Sequence, residues 1–123
     1  VSNAVKNSRH EEATTYRREL KTALSRSSLS RAAIAEALTS ATGDRVTERR
    51  INAYLAESKE EYRFPVELEL PLCEILGDYS LMELRCRRAG FRMIGPEEEK
   101  LIEIGRAFLQ QAEARKVLRR ASK

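Results

Sequence analysis

Residues 34–59 read "IAEALTSATGDRVTERRINAYLAESK", and how this stretch divides decides the fold. Ile34, Ala35 and Leu38 share one side of a helix, because residues three and four apart stack on the same face. Gly43 supplies the left-handed backbone that commonly closes a helix. Thr47 is a good N-cap, and Glu48 suits the positive end of the helix that follows. Ile51, Tyr54 and Leu55 repeat at i, i+3 and i+4, so a second helix is predicted over 48–57. Its other side carries Glu48, Arg49, Asn52 and Ala53, none of them a large apolar anchor.

Outward from this pair, the same reading extends along the chain. Tyr16, Leu20, Ala23 and Leu24 predict a helix over 9–26, with Arg17, Arg18 and Lys21 on other faces, where a plain solvent face is expected before an extension of a phosphate-contacting patch. "SRSSLS" breaks it, since clustered serines compete for the backbone. Ser30 is the expected N-cap of the helix over 31–41, with Leu29 as its hydrophobic staple. Residues 57–63 form a polar connection. Pro65 opens a fourth helix with Leu68, Leu72, Ile75 and Leu76 inward, and Pro71 is expected to kink it or start a new one. Gly77 and Asp78 end it. A fifth helix turns Leu81, Met82, Leu84 and Ala89 inward and stops at Gly90. After "FRMIG", Pro96 begins a last helix over 97–120, with Glu97, Glu98 and Glu99 at its positive end and Lys116, Arg119 and Arg120 at its negative end.

Composition agrees with an all-α chain. The 123 residues contain three prolines, five glycines and no tryptophan, and 34% of them are charged. Such a length fits one domain with an arm or tail. The division expected is an N-terminal arm over 1–8, whose "VSNA" resembles a remnant of an expression tag, a helical domain over 9–94, and an amphipathic helix over 95–123. A hydrophobic fraction of 41% is enough for a modest core. Cys73 and Cys86 lie in apolar helical surroundings and outside any C-x-x-C pair, so free thiols in a reducing cytoplasm are expected. No apolar stretch approaches the ~20 residues of a membrane helix.

The net charge is +4, a mild bias toward polyanions whose placement matters more than its size. Residues 1–26 hold six basic against three acidic side chains, and the segment from Arg115 onward holds five basic and no acidic one. "RCRRAGFR" gathers Arg85, Arg87, Arg88 and Arg92 around a helix end. These side chains fit phosphate contact, and equally cation stabilisation of a helix C-terminus at ~0.3–1 kcal/mol each.

A small-residue helix, a turn, and a second helix with one buried and one polar face are the parts of a helix-turn-helix. Arginine reads guanine, asparagine reads adenine, and alanine can touch a thymine methyl. Glu48, Arg49, Asn52 and Ala53 are therefore candidate base contacts, with Thr47, Arg50, Arg85, Arg87, Arg88 and Arg92 as candidate phosphate contacts. The plainer reading of Arg49 and Arg50 is a solvated face paired with Glu48 or Glu36, worth at most ~1 kcal/mol.

"IAEAL" followed by "VTERRINAYL" resembles the paired helices of the lambda-repressor-like helix-turn-helix group of bacteriophages. The stretch from Ser30 to Gly90 resembles regulators carried by Mu-like prophages, and "LCEILGDYSLMEL" is similar to part of the phage CII-type regulators. The resemblance implies a compact domain of about five helices that binds double-stranded DNA and regulates transcription in a bacterial cytoplasm. It departs from the family pattern where "TSATGDR" separates Leu38 from Val46, so the first helix must be longer or the turn wider.

Leu101, Ile104, Phe108 and Leu109 make the last helix too apolar to stay bare, and a homodimer through them is expected. A helical module that docks a protein partner, with no DNA role, is the competing expectation. Enzymatic activity is not expected, nor a metal, cofactor or small-molecule substrate. His10 is the only histidine, and no nucleophile–base pair or glycine-rich phosphate loop can be assembled.

Overall fold

The computed structural model describes residues 3–56 and 63–122, with side chains from Glu11 onward. Among the described residues there are six helices and no strand. They are α1 (Asn3–Arg26), α2 (Arg31–Thr42), α3 (Glu48–Leu55), α4 (Val66–Leu76), α5 (Ser80–Arg88) and α6 (Pro96–Ala121). The chain divides into two units, Val1–Phe91 and Arg92–Lys123.

In the first unit α2 packs on α3 and α4, α1 packs on α3 and α5, and α4 packs on α5. Their shared core holds Leu20 and Leu24, Ile34 and Leu38, Val46, Ile51 and Leu55, Leu68 and Leu72, and Leu81. Each fully buried aliphatic side chain contributes roughly 1.5–3 kcal/mol, before the entropy of ordering it is subtracted. The predicted stripes of α1 to α4 supply nearly all of these residues. Ile75, Leu76 and Met82 pack at the margin.

The caps explain where the helices near the site begin and end. Ser30 accepts the Ala33 N–H at 3.1 Å, and Thr47 accepts the Arg50 N–H at 3.2 Å. Gly43 closes α2 at φ 77°, a conformation that costs L side chains strain. Leu29, the expected staple, is largely exposed.

Four sequence expectations need correction, and a fifth is narrowed. The first helix begins at Asn3, so residues 3–8 are helical rather than an arm; residues 1–2 lie outside the described residues. Arg17 is buried, because it lies three residues before Leu20 and seven before Leu24, on their stripe. α4 continues through Pro71 as one helix, so of the two outcomes expected there no new helix begins. The hydrogen bond lost there would have used the carbonyl of Glu67, an exposed residue that water can satisfy. Ala89 is exposed, since α5 has already ended at Arg88. α3 closes at Leu55 with Ala56 as its cap, two residues short of the predicted end. The predicted connection over 57–63 lies, as far as residue 62, outside the described residues.

Asp78 ties the end of α1 to the start of α5. Its carboxylate accepts Arg26 Nε at 3.1 Å and the Ser80 N–H at 3.0 Å. Arg26 also donates to Ser80 Oγ at 2.9 Å. Burial pushes the Asp78 carboxyl up, but the Ser80 bonds and the Arg26 charge outweigh it and hold it below the usual carboxylate range. A depressed carboxyl contributes stability above its unfolded value and loses it as pH falls through the folded one. Asp78→Asn, which keeps the oxygen facing Ser80, should therefore lower Tm at pH 7, and the deficit should shrink as pH drops below about 4. Equal deficits at pH 7 and pH 3 in thermal melts would refute this.

The second unit consists of the segment from Arg92 and the helix α6. Pro96 occupies the first turn with the three glutamates beside it, and Arg119 and Arg120 lie in the last turn. A lone helix cannot cover its own apolar side chains, and Leu101, Ile104, Phe108 and Leu109 are all exposed. No helix among the described residues is long and apolar enough to cross a membrane.

Candidate nucleic-acid interface

The connection between α2 and α3 is built around one hydroxyl. Thr39 Oγ1 accepts the Val46 N–H at 3.0 Å and lies 2.9 Å from the Ala35 carbonyl and 3.0 Å from that of Val46. Its single proton serves one carbonyl at a time. The bond ties the far side of the turn to the last turns of α2, and Val46 is buried in the same core as Ile34 and Leu38 rather than left in a loose loop. Thr42 adds a second tie by accepting the Asp44 N–H at 3.2 Å. The long spacing noticed in "TSATGDR" is thus shared: α2 continues to Thr42, and residues 43–47 make the turn.

On α3, Ile51, Tyr54 and Leu55 are buried while Glu48, Arg49, Arg50 and Asn52 are exposed and Ala53 is half-buried. The amphipathic division expected from sequence is present, and its polar members differ in freedom. Arg49 has no hydrogen bond or ion pair to another described residue. Arg50 folds back along its own helix, donating to the Arg45 carbonyl and, at 3.0 Å, to the Tyr54 hydroxyl. Thr47 spends its hydroxyl on the cap.

Asn52 has a partner that sequence reasoning missed. Arg31, in the first turn of α2, donates from Nη1 to Asn52 Oδ1 at 2.6 Å. A guanidinium has no acceptor, so this contact fixes the amide with its oxygen toward Arg31 and its Nδ2 donor directed away. A 21-residue separation leaves no periodic signal by which the pair could have been found. Arg31, Arg49 and Asn52 together make a face of hydrogen-bond donors.

The arginines of α5 divide in the same manner. Arg85 donates Nε to Glu69 Oε2 at 2.9 Å, and its guanidinium carbon lies 5.0 Å from the centre of the Tyr16 ring. Glu69 is buried and accepts a second bond from the Tyr16 hydroxyl at 2.7 Å. Burial, and then Glu69 itself, push the Tyr16 phenol well above its usual value. Arg85 therefore carries a structural role within the unit. Arg88 Nε lies 3.7 Å from a Glu12 carboxylate oxygen. Arg87 is exposed, with no partner among the described residues. Arg92 belongs to the second unit and is exposed there.

Cys73 is buried, and burial followed by the charges of Glu69 and Asp78 pushes its thiol up; Cys86 is half-buried, and neither is in a disulfide. Among the described residues no cluster of His, Cys, Asp and Glu could hold a metal ion. Compared with known proteins, the chain matches no family model, no curated protein and no solved structure. The resemblance to phage regulators rests on the quoted residues alone.

Proposed function

We propose that the first unit is a non-enzymatic, sequence-specific DNA-binding module of the phage-regulator kind, with α3 as the helix that enters the major groove. The observation that carries this is the outer face of α3, where Arg49 stands free beside an Asn52 amide oriented by Arg31. Donors match acceptors, so this face suits the O6 and N7 of guanine better than the adenine expected for an isolated asparagine. Arg87 fits a phosphate contact flanking the groove, while Arg85 and Arg50 are already engaged. Selection of bound sites from random duplexes, followed by mobility shifts at two salt concentrations, tests the reading. Enrichment of a site containing a GG step supports it. Enrichment of nothing, with no mobility shift at low salt, overturns it.

A second reading is favoured by α6, in which no residue is buried. Leu101, Ile104 and Phe108 fall within one narrow sector of the helix, the arrangement of a face that pairs with another helix. Together they expose more apolar side chain than a helix keeps in water without cause. We propose that this face joins two copies of the chain, consistent with the paired half-sites of helix-turn-helix dimers. Sedimentation of the full chain should give a dimer, and Leu101→Glu with Phe108→Glu should convert it to monomer. A parent protein that is monomeric at ~100 µM, a concentration far above a typical dimer Kd, would leave α6 as a docking helix for a different protein.

A further inference from the structure

Beside α3, and separate from its outer face, lies a cleft of about 610 Å³ within the first unit. That volume is in the range of small-molecule sites. Four arginines reach it: Arg17, Arg63, Arg85 and Arg88. Arg85 is neutralised by Glu69 and Arg88 is faced by Glu12. Arg17 and Arg63 have no carboxylate or hydrogen-bond partner among the described residues.

Arg17 is the decisive group. Its residue is 9% exposed, yet among the described residues no buried side-chain nitrogen lacks a partner. Its unbonded guanidinium nitrogens must therefore keep a little contact with solvent, and the cleft is the space that this residue lines. A nearly buried cation without a counterion is costly unless something anionic meets it. The rest of the wall is apolar and aromatic, from Leu20, Leu84, Tyr54 and Phe64. Tyr54 and Phe64 meet edge to face, with ring centres 5.5 Å apart.

We infer that this cleft binds a small organic anion, a carboxylate or phosphate ester carried on a flat apolar body, with Arg17 and Arg63 on the charge and the two aromatic rings on the body. A phosphate of duplex DNA is a poorer fit, because it would have to reach a side chain nine-tenths withdrawn from the surface. Occupancy has a route to α3, since the Tyr54 hydroxyl accepts Arg50 Nη2 at 3.0 Å. That consequence rests on the DNA-binding reading, whereas binding of the anion does not.

The test is run first on the full chain without DNA, by calorimetric titration with phenyl phosphate, benzoate and inorganic phosphate. One of the two aromatic anions should bind with one-to-one stoichiometry, and which one identifies the charged group. Inorganic phosphate, lacking the apolar body, should bind at least ~10-fold more weakly. A charge-assisted bond lost in Arg17→Gln should weaken the aromatic anion ~10-fold or more, and Arg63→Gln, at an exposed site, somewhat less. Circular dichroism establishes that each variant is folded, and Arg63→Gln stands as the measure if Arg17→Gln is not. No saturation by either aromatic anion at ~10 mM, an affinity weaker than that of a single fragment, would overturn the proposal. So would undiminished binding in both folded variants. Mobility shifts with and without the anion then address the link to α3 alone.

Discussion

Glu69→Ala should lower the unfolding free energy by roughly 2–3 kcal/mol, the largest loss expected from any single polar substitution in this unit. Removing one member of a buried ion pair commonly costs about 3–5 kcal/mol, because the other charge is left uncompensated. Here the figure is discounted, since the Arg85 side chain is 53% exposed and water can solvate it. The Tyr16 hydroxyl loses its acceptor as well. Glu69→Gln keeps the shape and one acceptor, so about 1 kcal/mol is expected. Urea unfolding at pH 7 measures both. A loss below ~0.5 kcal/mol, the size of an ordinary surface substitution, would mean that the cluster of Tyr16, Glu69 and Arg85 is not formed.

The same cluster leaves a signature at high pH. The Tyr16 phenol is raised above its ordinary value of 10.0, first by burial and then by the Glu69 bond and charge. A raised phenol contributes stability that is complete below the unfolded value and is lost as pH climbs toward the folded one. Stability should therefore decline above about pH 10. In Glu69→Gln the Tyr16 titration, followed by phenolate absorbance, should move back toward the ordinary value.

Arg49→Ala should relax the preference for the selected site by about 1–3 kcal/mol, or ~5- to 150-fold, while leaving Tm unchanged. The two halves of this result belong together. Arg49 is exposed and has no partner among the described residues, so the fold loses nothing with it. A guanidinium that reads a base is missed at one position of the site, whereas one that meets phosphate is missed equally by every sequence. Arg87→Ala is the comparison, expected to weaken all duplexes alike and reduce the salt slope by about one. Equal loss on specific and random duplexes in Arg49→Ala would remove the base-reading role from α3. Arg31→Ala should act through Asn52, relaxing the preference less than Arg49→Ala, because the amide would then be free to turn either edge outward.

Much of the helical framework was legible because its signals are local. The apolar spacing of Leu20 with Leu24, of Ile34 with Leu38, and of Ile51 with Leu55 follows from 3.6 residues per turn. Ser30, Gly43 and Thr47 mark boundaries for reasons contained within a few residues of backbone. For the same reason the outward face of α3 could be named from sequence. Which of the two expected outcomes Pro71 would take was not legible, because the cost of a helical proline depends on whether water reaches the orphaned carbonyl, and that depends on the surrounding helices.

Sequence by itself determined the helices, most of the core and the identity of the polar side chains on α3. Tertiary structure decided which of those side chains are free. Arg49 and Arg85 look alike in a list of cationic residues, yet one has no partner among the described residues and the other is bound to a buried Glu69 from another helix. Asn52 is oriented by Arg31, and Arg17 turns into a cleft instead of solvent. Hydrogen bonds of this kind join residues as far as 54 positions apart. Local periodicity carries no record of them, because they come into being only when the helices pack.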